Sequence, residues 1–169
     1  MSEDKTEAVM CEAMISVVAH LFWAMYKSGA SGKICNTLIS YVCQKSTDTH
    51  TDAEALFEAG KKQSLEVAKY ELGETTSGPS EQRESPAGFI TTATMIAKVA
   101  AAGLCVGLTP VKISEVVDYL IKKHSNSSES EQRLRDKSRE ISLEFLLEVA
   151  GKPSDDTPEI EVELEAADS

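Results

Sequence analysis

Aromatic side chains are scarce in this chain: Phe, Tyr and Trp together make up 5% of 169 residues, with a single Trp. A core without them rests on Ala, Val, Ile, Leu and Met. That composition suits close helix–helix packing better than a sandwich of aromatic-rich strands. Strand patterning is missing too, since no stretch within 1–150 alternates apolar and polar residues as a half-buried strand would. Cysteine is sparse and unpatterned. Cys11, Cys35, Cys43 and Cys105 form no CxxC pair, and each lies in or beside an apolar helical run. They read as buried thiols in a reducing compartment, not as disulfides or metal ligands.

The short motifs of common enzymes are also lacking. There is no GxSxG, no HExxH and no GxGxxG after a strand. His20, His50 and His124 stand at metal-ligand spacing neither with one another nor with a Cys. Gly29-Ala30-Ser31-Gly32-Lys33 has two residues between its glycines where a phosphate loop needs four, and it reads as a turn with Ser31 capping the next helix. No metal, no cofactor and no catalysis is expected. The N-terminus is acidic where a secretory signal would be basic, so a cytoplasmic location is expected. Ala13 to Tyr26 is short for a membrane span. The longer run Phe89 to Leu108 carries Lys98, which costs on the order of 3 kcal/mol at a bilayer centre. Both runs are assigned to a buried core, with no membrane partner.

What the chain does have is apolar residues at 41% and charged residues at 27%, a globular balance with enough length for one sizeable core. Its formal charge of -11 is uneven. Residues 153–169 hold seven acids and no base. Taking those from the 28 acids leaves 21 against 17 bases, so the rest of the chain carries -4. An acidic body disfavours non-specific binding to nucleic acid.

Helix starts and stops are legible. Thr51-Asp52-Ala53-Glu54 and Ser128-Glu129-Ser130-Glu131 have capping-box spacing. Ser85-Pro86 and Thr109-Pro110 place a capping hydroxyl before a first-turn Pro, with Leu108 and Ile113 positioned as a hydrophobic staple. Gly29, Gly73 and Gly151 mark helix ends, and Pro153 follows the last. The prediction is an all-α bundle of about six helices, near 4–28, 32–46, 52–72, 86–106, 110–124 and 129–150. The helical domain covers 1–151, with a mobile loop at 73–85, and an acidic disordered tail covers 152–169. The first helix is apolar on most sides, and its stripe Glu12, Ser16, His20 is read as its exit to water. Such a perimeter belongs at a bundle centre or in self-association to a homo-oligomer. In the sixth helix the charged first half is expected to project and the apolar second half to dock.

Three functional expectations follow. The first is a non-enzymatic adaptor, inhibitor or assembly factor that binds a protein partner through a helical face. Its second attachment would be the tail, where Ile160, Glu161, Val162, Glu163, Leu164 and Glu165 alternate apolar and acidic residues. Extended, that segment suits addition to a partner's sheet edge. The second is a helix-turn-helix DNA regulator on residues 96–121. It would use Lys112 with Lys122, Lys123, Arg133, Arg135 and Arg139, although Glu115 and Asp118 repel phosphate and the turn, taken as Leu104 to Thr109, is long. The third is a small-ligand binder or enzyme in the core near His20.

Overall fold

The computed structural model describes residues 3–73 and 86–151, with side chains described for 10–73 and 88–144. Six helices pack together: α1 (Glu3–Lys27), α2 (Gly32–Ser46), α3 (His50–Glu71), α4 (Pro86–Cys105), α5 (Pro110–Lys123) and α6 (Ser128–Gly151). Among the described residues there is no strand. The expected all-α class stands. Residues 74–85 of the loop expected at 73–85, and all of the tail expected at 152–169, lie outside the described residues.

The caps explain where the helices begin. Ser31 accepts from the Ile34 amide at 3.2 Å and Thr109 from the Lys112 amide at 3.2 Å, as their spacing predicts. Two starts shift. α3 is capped by Thr49, which accepts from the Asp52 amide at 3.0 Å, so the helix opens at His50 and Thr51 lies inside it. α6 is capped by Ser127, whose hydroxyl accepts from the Ser130 amide at 3.1 Å. In each case a second hydroxyl lies just upstream of the one the motif names, and the cap that closes the preceding connection is used. α4 ends on Gly107, at φ 90°, a stop the sequence pattern misses. The Leu108 amide donates to the Gly103 carbonyl at 3.0 Å and the Gly107 amide to the Leu104 carbonyl at 3.3 Å, which closes the helix end.

α1 lies at the centre. Val17, Val18, Leu21 and Met25 are fully enclosed, and the helix packs against α2, α3, α4 and α5. Each such side chain contributes about 1.5–3 kcal/mol when taken out of water. The apolar perimeter that the sequence alone would offer to self-association is therefore largely taken up inside the bundle. Gly60 sets the approach of α3: a Cβ there would lie 2.7 Å from Val18 Cβ, so the two backbones meet only because the side chain is missing. α4 packs on α1, α2, α5 and α6. By length and composition alone, Gly88–Cys105 is apolar enough to span a membrane, and 56% of that window is buried in the bundle.

The charged first half of α6 docks where it was expected to project. Leu134 and Ser138, in the charged half, are buried, and Ile141 packs against the core. Every third or fourth residue of that half faces α4 and α5, while Arg133 and Arg139 face water. The side chains from 145 onward lie outside the described residues.

Candidate functional site

The polar stripe of α1 does not lead to water. Glu12 is exposed, but Ser16 and His20 are 3% and 4% exposed and face α5. α5 runs antiparallel to α1. At one end Ser16 meets His124, and at the other Lys112 donates to the Ser28 carbonyl. This register brings His20 and His124 edge to face, with ring centroids 4.9 Å apart.

The chemistry of the partners fixes the protons. His20 Nδ1–H donates to the Ser16 carbonyl at 2.7 Å, and His124 Nδ1–H donates to the Leu120 carbonyl at 2.8 Å, because a carbonyl can only accept. His124 Nε2 is then a lone-pair nitrogen, and it accepts the Ser16 hydroxyl proton at 3.1 Å. Burial of the ring, reinforced by His20, pushes the His124 imidazole down to about 3, against the weaker upward pull of its hydrogen bonds. As a whole residue His124 keeps some surface, but its ring lies inside the α1–α5 seam.

A Ser hydroxyl on a His nitrogen is the contact of a nucleophile with its base. The setting does not support that chemistry. Ser16 is in mid-helix, where the neighbouring amides are spent on helix hydrogen bonds and none is free to stabilise an oxyanion. The contact joins two helices. Beside it, Tyr119 lies 6.2 Å from the His20 ring and donates its hydroxyl proton to Glu71 of α3. Lys27 and Lys123 reach the same carboxylate at 3.7 and 3.9 Å, and Lys27 Nζ lies 4.4 Å from the Tyr119 ring centroid. Burial and then Glu71 raise the Tyr119 phenol well above its ordinary value.

The basic residues suggested by the sequence divide in two. Lys112 closes the end of α1. Arg135 binds Asp118 at 2.8 Å and Glu131 at 3.1 Å, and the Arg135 and Lys122 cations hold the Asp118 carboxyl below its usual range. Lys122 is 3.0 Å from Asp118, and Lys123 is on Glu71. Arg133 and Arg139 are exposed. The α4–α5 turn is shorter than the sequence suggested: only Val106 to Thr109 separate the helices. The tail residues Ile160, Glu161, Val162, Glu163, Leu164 and Glu165 lie outside the described residues.

Two of the four cysteines, Cys11 and Cys105, are exposed, where the sequence places all four inside. Burial pushes the Cys43 thiol up to about 12. Among the described residues no three His, Cys, Asp or Glu side chains are placed to hold a metal. A cleft of about 440 Å³ between α2 and α3 is floored by Cys43, Ala53 and Phe57, and its His50 and Glu54 pair with each other at 2.9 Å.

One feature of the surface is not visible in the sequence. Tyr26, Leu104, Val111 and Leu143 are exposed, Tyr26 and Val111 at 75% and 67%. The Lys112–Ser28 contact, the short α4–α5 turn and the antiparallel α5–α6 pair marked by Asp118–Arg135 bring all four to one end of the bundle. Lys27–Glu71 adds the end of α3, where Leu72 is 66% exposed. Trp23 stacks on Tyr26 at 5.7 Å there. The chain matches no protein-family model, no curated protein and no solved structure.

Proposed function

We propose that this protein acts by binding another protein through the apolar end of its bundle, as an adaptor, inhibitor or assembly factor and not as an enzyme. The observation that carries this reading is the grouping of Tyr26, Leu72, Leu104, Val111 and Leu143. Single exposed apolar residues are ordinary, but a group of them at one end of a bundle is a surface that water disfavours. The Trp23–Tyr26 stack supplies the kind of rigid aromatic anchor on which interfaces concentrate their energy. The alternating segment 160–165 serves as a second contact, raising avidity through effective concentration.

The test is cross-linking and capture from a cell extract with the full chain, the double variant Tyr26→Lys with Val111→Lys, and the control Leu65→Lys. Leu65 is 62% exposed on α3. The expected outcome is one partner kept by the wild type and the control and lost by the double variant. Equal capture by all three forms would sink the reading.

The four-residue α4–α5 turn favours one second reading, a helix-turn-helix DNA regulator. Its exposed cations are Lys122, Arg133 and Arg139. On that reading, duplex affinity falls steeply as salt rises, and Arg133→Glu with Arg139→Glu abolishes it. Lys112 and Arg135 make poor probes, because each also holds helices in place.

A further inference from the structure

At His124, an added proton has no good home. His124 already donates from Nδ1 to Leu120 and accepts at Nε2 from Ser16. The Ser16 hydroxyl can turn to meet a protonated Nε2, but the charge itself would sit in a buried seam against a second imidazole. Among the described residues, the neighbours of His124 do not offset it. α1 contributes Lys27 and α5 contributes Lys123, both positive; Glu71 of α3 is already shared by Tyr119, Lys27 and Lys123. The stretch of α4 level with the pair, taken from the meeting of Gly103 with Ile113, is Thr91 to Ala93, which carries no titratable group. The first turn of α6 brings Glu129, exposed, and Glu131, bound to Arg135.

We propose that His124 is a proton-operated latch that releases the C-terminal end of α5 from α1 under mildly acidic conditions. α5 hinges at its N-terminal end, where Lys112 stays on the Ser28 carbonyl and the short turn ties it to α4. Opening uncovers Ser16 and His20 on α1 and the apolar side of α5 at Leu120 and Ile121. In the open form the imidazole of His124 meets water and takes a proton with its ordinary affinity, near pH 6.5. Closed, it resists protonation until far lower pH. The sign follows: the latch is fully shut above about 6.5. Each pH unit below that raises the open-to-closed ratio by up to about tenfold for one histidine, down towards pH 3.

The test is amide hydrogen exchange on the full chain between pH 7 and 4.5, corrected for intrinsic exchange rates. Protection at Leu120, Ile121 and His124 is expected to fall about tenfold per pH unit below about 6.5 while Leu38 and Ile39 of α2 hold. His124→Gln, which keeps an acceptor for Ser16, is expected to flatten that dependence. An equal fall in α2 and α5, or an undiminished fall in His124→Gln, overturns the latch. If that variant does not fold, the ring-carbon signals of wild-type His124 decide. They are expected to stay neutral in the closed form through pH 5, and an ordinary titration near 6.5 within the closed form refutes the proposal.

Discussion

At the scale of single residues, Gly60 shows how a missing atom determines a contact. It sits inside α3, where glycine costs roughly 1 kcal/mol of helix propensity against alanine. That cost is offset by the approach to Val18, which is fully buried and has no room to move aside. Gly60→Ala is therefore expected to destabilise, by about 1–3 kcal/mol from overpacking less the propensity gained. Urea unfolding checks this, and a variant as stable as wild type would mean that α3 stands further from α1. The sequence names His20 and the polar positions near it but turns them to water. Along one helix, Glu12, Ser16 and His20 look like a solvated stripe, whereas the partner of Ser16 is His124, 108 residues away. Spacing within a helix is local information. The register of one helix against another is fixed by packing along both, and no local pattern carries it.

Elements were more legible than sites, because caps are local chemistry. Ser31, Thr109, Gly29 and Gly73 act where a short-range reading puts them. Thr49 and Ser127 displaced Thr51 and Ser128 because runs of hydroxyl residues offer several caps at similar energy, and tertiary fit chooses among them. The sixth helix misleads for another reason. Its average charge hides Leu134 and Ser138, which fall on one face amid Arg133, Arg135 and Arg139. Leu134→Ala is expected to cost about 2–5 kcal/mol, whereas Arg139→Ala should change stability by less than about 0.5 kcal/mol. Similar urea midpoints for the two would show that this half of α6 does not dock.

For the whole molecule, charge is divided between a mildly acidic body and a strongly acidic end segment. Nothing in the composition of 153–169 supplies a core, so its removal is expected to leave the melting temperature within about 2 °C of the full chain. A larger fall would mean that the segment is bound to the helices in cis. The six-helix class follows from the aromatic-poor, capped sequence. The apolar end does not, since Tyr26, Leu104, Val111 and Leu143 are scattered along the chain and become neighbours only through folding.

The lysine contacts carry a consequence for biosynthesis. α1 is closed by Lys112, which lies 84 residues beyond Ser28, and Lys98 donates to the Lys45 carbonyl at the end of α2 from 53 residues away. A nascent polypeptide that has emerged only through residue 73 has neither clasp, and the flank of α1 that later meets α4 and α5 is bare. Translation delivers residues at roughly 5–20 per second, so this half-built stage lasts for seconds, during which a greasy rod without its second set of neighbours is open to chaperones or to misassembly.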